Sequence, residues 1–106
     1  MDETLFEKIA EAELSALQTR LDAFDPDELE ADLSMGVLTI TMGDGNKVVI
    51  NSHRAAGQIW MAAFRTAWHF SPIEEAGVWR WRTTEGELHG SLSRLLGEKL
   101  GRAVVV

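Results

Sequence analysis

Apolar residues near the start of the chain recur every three or four positions, and this spacing predicts an amphipathic helix from Leu5 to Phe24. The apolar members are Phe6, Ile9, Ala10, Leu17, Leu21 and Phe24. The dipeptide Asp25-Pro26 should end the helix, because a residue before proline avoids helical backbone angles. Glu13 projects onto the apolar side, and we expect it at the edge of the stripe with its carboxylate directed outwards.

Short segments in which apolar and polar residues alternate follow this helix, and the alternation predicts β-strands. Turn-forming residues at Met35-Gly36 and Gly43–Asn46 separate the first three, so these should form an antiparallel meander. Pro72 and Gly77 are expected to bracket a loop between the last two. The six candidate strands are residues 29–33, 37–42, 47–51, 58–63, 67–71 and 77–82.

Leucines at spacings of three and four residues predict a second helix from Leu88 to Leu100, which Gly101 should end. The apolar residues 104–106 are expected to pack against the body of the protein. One helix, about six short antiparallel strands and one helix indicate an α+β fold. We predict a two-layer sandwich in which the N-terminal and C-terminal helices pack on one face of the sheet, with residues 1–106 forming a single domain.

The acidic residues are unevenly distributed along the chain. Residues 1–32 hold eleven acids against Lys8 and Arg20, whereas the remaining residues hold six acids and eight bases. Six of the fourteen residues in Arg20–Leu33 are carboxylates. Like charges this close repel one another unless a cation or a basic partner neutralises them, so the asymmetry indicates a charged interaction surface. Nucleic acid is not an expected partner, because a phosphate backbone requires a basic surface.

Composition excludes several classes of protein. The chain has 106 residues, of which 45% are hydrophobic and 25% charged, as in ordinary globular domains. The sequence contains no cysteine, which removes disulfides, thiolate metal sites and cysteine nucleophiles. No apolar run reaches the roughly 18 residues of a membrane helix. The acidic N-terminus resembles neither a signal peptide nor a transit peptide, so we expect a cytoplasmic protein without a membrane partner.

Carboxylates of the first helix and the first strand are candidates for a cation site. Glu7, Glu11 and Asp22 fall on one side of the predicted helix, while Glu30 and Asp32 point to one side of a strand. All-oxygen ligands suit hard cations such as calcium, magnesium, manganese or iron. No EF-hand loop or zinc spacing is present, so binding should be weak and largely electrostatic. The alternative is a solvated acidic face that contributes only to solubility.

The tryptophans have different expected environments. Strand alternation places Trp60 opposite Ile59 and Met61, on the face that the helices leave open, where a tryptophan often anchors a partner. The alternative for Trp60 is packing beneath a loop. Trp79 and Trp81 share a strand face opposite two arginines, so a buried structural role is expected for them.

Ordinary catalytic motifs are missing from the sequence. His53, His69 and His89 lie far apart without a ligand spacing such as HxxxH, and a structural role is expected for each. Neither a GxSxG elbow nor a glycine-rich phosphate loop is present. We therefore expect a binding protein rather than an enzyme.

Several motifs occur together in an order that resembles the frataxins, in particular the bacterial proteins of the CyaY type. The match covers nearly the whole chain and implies an antiparallel sheet covered on one face by two terminal helices. The matching motifs are RLDAFD at Arg20–Asp25, GVLTITMGDGNKVVIN at Gly36–Asn51, QIW at Gln58–Trp60, WHF at Trp68–Phe70, Trp79 and the closing leucine-rich helix.

This resemblance implies a weakly bound iron cargo, Fe²⁺ or Fe³⁺, and a role in iron–sulfur cluster assembly. The protein would act as an iron donor or as a regulator of the cysteine desulfurase and its scaffold protein. We expect a monomer, with iron-dependent oligomerisation as an alternative. The iron positions implied are Glu7, Glu11, Asp22, Asp25, Asp27, Glu28, Glu30 and Asp32; the partner surface implied is Asn51, Gln58 and Trp60.

Two further functions stay open from the sequence. One is a ferroxidase or iron-detoxifying protein that oxidises Fe²⁺ on the acidic residues; such a centre normally requires buried, converging carboxylates, and the sequence has no ExxH motif. The other is a haem sensor that uses His53 or His69.

Overall fold

Seven antiparallel strands form one sheet whose spatial order is the order of the sequence. The computed structural model describes all residues from Met1 to Val106. The elements are α1 (Glu3–Leu21), β1 (Leu29–Ser34), β2 (Val37–Met42), β3 (Lys47–His53), β4 (Gln58–Ala63), β5 (Thr66–Glu75), β6 (Val78–Thr83), β7 (Gly86–Glu87) and α2 (Leu88–Leu100). The predicted α+β two-layer sandwich is confirmed. The sheet has seven strands instead of about six, because Gly86–Glu87 pairs with β6 just before α2.

The core lies between one face of the sheet and the two helices. Strand residues such as Ile40, Ile50 and Ile59 have no exposed surface, and they alternate with residues that point to the open face. The buried stripe of α1 packs onto them; it consists of Phe6, Ala10, Leu14, Leu17 and Leu21. Because both helices cover the same side, the opposite side of the sheet is left open.

Helix α1 ends at Leu21, three residues before the predicted end. At its start, the Asp2 side chain accepts a hydrogen bond from the main-chain N–H of Leu5 at 3.2 Å. At its end, the N–H of Phe24 bonds to the oxygen of Leu21 three residues back, which is a tighter turn than the α-helix allows. Phe24 therefore leaves the helix, although its ring still packs against the core.

Strand β5 is longer than predicted, and Pro72 lies within it rather than in a loop. The first half of β5 pairs with β4 and the second half, which contains Pro72, pairs only with β6. A proline is tolerated there, because its missing N–H costs no bond on a side that has no neighbouring strand. The turn instead falls at Ala76-Gly77, both with positive φ, of 51° and 79°.

The β6 tryptophans take the predicted orientation. Trp81 is 2% exposed and meets the ring of Phe6 edge to face, with centroids 5.8 Å apart. Trp79 is half-buried, whereas Arg80 on the opposite face is exposed. At the end of the chain Val106 is buried and Val104 packs against the core, as predicted, whereas Val105 is 90% exposed, contrary to the prediction. Neither helix is long and apolar enough to cross a membrane.

The expectation for Glu13 is wrong, because its carboxylate is directed at α2 and not at solvent. The Glu13 side chain is only 15% exposed and contacts the ring of His89. Its partner lies 76 residues further along the chain, so local periodicity contains no information about the contact.

Candidate metal-binding ridge and open sheet face

The loop between α1 and β1 is held in place by hydrogen bonds from its own residues and from the β2–β3 turn. The Asp25 carboxylate accepts a bond from the main-chain N–H of Asp27 at 2.9 Å, a local turn that aspartate favours. The N–H of Gly43 donates to the main-chain oxygen of Glu28, also at 2.9 Å. The loop therefore turns the chain sharply from the end of the helix into the edge strand of the sheet.

Three carboxylates come together where this turn joins α1 to β1. Asp22, Glu30 and Asp32 line one open groove of about 560 Å³, together with the hydroxyl-bearing side chains Thr39 and Thr41. Glu30 and Asp32 face the same side because they are two residues apart on a strand. All three acids are exposed, and none forms an ion pair within the protein.

Glu7 and Glu11 form a separate group near the start of α1. They line a groove of about 520 Å³ whose apolar part includes Leu33 and Met35. The Glu7 carboxylate forms an ion pair with Arg54 from the β3–β4 turn. Glu7 is thus neutralised by the protein itself, whereas Glu11 has no ion-pair partner.

Asp27 and Glu28 belong to a third group, beside the end of α2. Glu28 accepts two hydrogen bonds from the Arg102 guanidinium, at 2.8 and 3.3 Å. Nearby, Asp44 forms an ion pair with Lys99. The hydrogen bond from Lys99, followed by that from the main-chain N–H of Asn46, lowers the pKa of Asp44 to about 2.

The eight implied iron positions are therefore divided among separate surface groups. The structure brings Asp22, Glu30 and Asp32 together, and it places Glu7 and Glu28 in ion pairs with arginines. No group of three or more His, Cys, Asp or Glu side chains converges closely enough to hold a metal ion. The oxygen donors suit iron, but their spacing suits a cation that is held loosely and exchanged readily.

The open face of the sheet carries an aromatic stack centred on Trp60. The indole lies between the rings of His53 and His69, with centroid distances of 3.9 and 4.2 Å and interplanar angles of 21° and 13°. Asn51 and His69 flank Trp60 directly in the strand register. Trp60 is half-buried by these neighbours and lies on the face opposite Ile59 and Met61, as predicted.

Hydrogen bonds fix the edge of the same indole. Its N–H donates to the side-chain oxygen of Gln58 at 2.9 Å, and the Gln58 amide donates to the Ser71 hydroxyl at 3.2 Å. The three expected partner-surface residues, Asn51, Gln58 and Trp60, are therefore adjacent. Sequence reasoning missed the part of His53 and His69, because each lies on a different strand and their contact with Trp60 depends on the strand register.

Comparisons with known proteins agree with this architecture. The frataxin-like domain family matches residues 1–102. A protein of Dechloromonas aromatica strain RCB named iron-sulfur cluster assembly protein CyaY is 35% identical, over 100% of this chain and 99% of its own length. The protein of that name from Thioalkalivibrio sulfidiphilus is 32% identical, over 98% of both chains.

A solved structure shares the fold at lower sequence identity. Frataxin from Psychromonas ingrahamii superimposes with a TM-score of 0.82 over 99% of this chain and 97% of its own, at 18% identity. The shared fold, the family match and the relatives that align over the whole chain lead to one assignment. The chain belongs to the frataxin-like family.

Proposed function

We propose that this protein binds iron as a cargo and acts in iron–sulfur cluster assembly in the cytoplasm, where it delivers iron or regulates the cysteine desulfurase and its scaffold protein. The names of its relatives support the process. One structural observation supports the iron: the groove shared by Asp22, Glu30 and Asp32 holds three exposed carboxylates with no cation of the protein beside them.

The electrostatics of this groove favour the arrival of a positive partner. Mutual repulsion of the three carboxylates is a standing cost, which falls when Fe²⁺ or Fe³⁺ enters. Because the ligands do not form a closed shell, the ion retains water and exchanges quickly, as delivery to another protein requires. Glu11, Asp25 and Asp27 add to the local negative potential without converging on the same point.

The same acids suit docking of a basic surface on the desulfurase. Exposed charges attract such a surface over about one Debye length, so this contact should weaken as salt is added. The open sheet face is available to a second partner, and the scaffold protein is our candidate for it. The acidic groove lies at the β1 edge of the sheet and Trp60 lies on β4, so β2 and β3 separate the two surfaces.

One experiment tests the proposal directly. Desulfurase-driven cluster formation on the scaffold is measured with and without the protein, over a range of iron concentrations. The wild type should change the rate in an iron-dependent manner, and the variant Asp22→Asn/Glu30→Gln/Asp32→Asn should lose that dependence. Glu98→Gln, which removes an exposed carboxylate from α2, is the matched control and should behave as wild type. No effect of the wild type at any iron level would overturn the proposal.

We propose binding rather than catalysis for the iron chemistry. A ferroxidase centre requires buried carboxylates that converge on the metal, whereas the acids proposed to attract iron on α1 and β1, Glu7, Glu11, Glu30 and Asp32, are exposed and divided into groups. Oxygen consumption with Fe²⁺ should show no saturable turnover above the uncatalysed rate. Saturable turnover that disappears in the triple groove variant would establish an enzyme instead.

Haem binding is not part of the proposal. The Nδ1 atom of His53 accepts a hydrogen bond from the main-chain N–H of Ala56 at 3.2 Å, and both His53 and His69 are stacked on Trp60. These contacts give both rings a structural role that does not require haem. A Soret band that is lost in His53→Gln or His69→Gln would restore this function.

A further inference from the structure

The middle of the open sheet face lacks the negative charge of the acidic groove. None of the outward-facing residues on β3, on β4 or on the first half of β5 is an aspartate or a glutamate. The outward acids of the sheet lie towards its two edges: Glu30 and Asp32 on β1, and Glu75 and Glu87 beside Arg80 and Arg82 at the β6–β7 end. In a protein with a net charge of −7, this carboxylate-free surface is the region that best tolerates an anionic partner.

The aromatic stack determines which atoms this surface can offer. Both faces of the Trp60 indole are covered by imidazoles, and its N–H is committed to Gln58. A partner therefore cannot stack on Trp60 and cannot accept a hydrogen bond from it. What is left for a partner is the edge of the three rings and the free nitrogen atoms of the two histidines.

Both histidines can donate a hydrogen bond from a ring N–H to a partner. His53 accepts the Ala56 N–H at Nδ1, so the neutral ring carries its proton on Nε2 and donates outwards. The exposed ring of His69 makes no hydrogen bond within the protein, so it is free to donate to a partner. Protonation of either ring adds a positive charge while the stack persists, because an imidazolium is attracted to the face of an indole.

We propose that the stack of His53, Trp60 and His69 is a docking site for a carboxylate-bearing segment of a partner protein, and that protonation of the two imidazoles strengthens this docking as the pH falls. The two docking surfaces then select partners of opposite charge, a basic one at the groove of Asp22, Glu30 and Asp32 and an acidic one at the stack. The inference rests on the proposed function for the role of the open face in binding a partner.

The charged groups around the stack are consistent with this selection. On β6, Arg82 lies opposite Ser71 and is paired with Glu75 and Glu87. In the β3–β4 turn, Arg54 is paired with Glu7. On β3 itself, Lys47 lies at the far end of the strand. No carboxylate forms an ion pair with His53 or His69, so the charge of a protonated ring is available to an incoming acid.

The test is an NMR titration of the whole protein with hexaglutamate as the probe, carried out at about pH 6 and at about pH 8. Hexaglutamate should shift the Trp60 indole N–H signal, assigned with Trp60→Phe, and the ring signals of both histidines. Affinity should be about fivefold higher at the lower pH, the factor that an exposed ion pair can contribute. Hexalysine should leave the stack unmoved and shift the signals of Glu30 and Asp32.

Variants separate the stack from general charge effects. His53→Gln/His69→Gln should lose the pH dependence, whereas Arg94→Gln, which removes an exposed and unpaired cation from α2, should keep it. An unmoved Trp60 indole signal, or an equal pH dependence in the double variant, would overturn the inference. The titration contains no iron, desulfurase or scaffold, so its failure is distinguishable from a failure of the cluster-assembly assay.

Discussion

Glu13 of α1 and His89 of α2 form an ion pair that joins the two helices. The other ring nitrogen of His89, Nδ1, lies 3.0 Å from the main-chain oxygen of Val106. Both nitrogens thus face acceptors, and only the doubly protonated ring can donate to both. The hydrogen bond to Glu13, assisted by that to Val106, raises the pKa of His89 against the opposing effect of burial.

The ion pair between Glu13 and His89 predicts that the difference in stability between the wild type and a His89 variant depends on pH. A raised pKa in the folded state means that His89 contributes its full stabilisation below its unfolded pKa and loses it as the pH rises through the folded value. His89→Gln should therefore lower the free energy of unfolding by about 1 kcal/mol at about pH 6, a figure reduced for the partial exposure of the ring. Urea unfolding at several pH values measures this difference, which should shrink towards alkaline pH. A difference that grows with pH would contradict the assignment.

The ion pair between Asp44 and Lys99 should contribute to folding stability in a different pH range. The folded pKa of Asp44 is lowered from 3.8 to about 2, so its stabilisation is present above 3.8 and is lost as the pH falls through about 2. Asp44→Asn should lower the melting temperature at neutral pH, and the difference from wild type should disappear at strongly acid pH. The control is Glu98→Asn, which removes an exposed acid of α2 and should show no such convergence.

Two glycines should respond in opposite ways to the same substitution. A Cβ atom on Gly43 would overlap the main-chain oxygen of Asp27, so Gly43→Ala should destabilise the protein by about 2 kcal/mol and displace the α1–β1 loop. Gly90 lies in α2 with nothing within 4 Å of its Cβ position. Gly90→Ala should stabilise the protein by about 0.5 kcal/mol, because alanine favours the helix. Equal effects of the two substitutions in denaturant unfolding would contradict the close packing at Gly43.

The division into two docking surfaces predicts separable binding defects. Glu30→Lys/Asp32→Lys should abolish binding to the desulfurase, because two attractive charges become repulsive, and Trp60→Ala should weaken contact with the scaffold while leaving desulfurase binding intact. Pull-down or calorimetry with each purified partner, at low and high salt, measures both. Wild-type desulfurase binding by the charge-reversal variant at both salt concentrations would exclude the groove as its docking site.

Much of the architecture follows from local pattern alone. The period of the apolar residues predicted both helices, and alternation placed Trp60 on the face opposite Ile59. These features are recoverable because a residue's position within its own helix or strand determines which face it occupies. The predictions that were wrong concern features that depend on neighbouring elements. Helix α1 ends at Leu21, before the predicted end, and Pro72 lies within β5 because the second half of that strand pairs only with β6.

Some features of the candidate site can likewise be read from the sequence, whereas others depend on how distant segments pack. Sequence patterns alone reveal the surplus of acids in residues 1–32, the shared side of Glu30 and Asp32, and the frataxin-like motifs. The packing of distant segments determines which acids form ion pairs with an arginine, as Glu7 and Glu28 do, and which lie beside other carboxylates. It also decided that His53 and His69 enclose Trp60 and that Glu13 meets His89. These pairings depend on strand register and helix packing, which bring together side chains that are distant in the sequence.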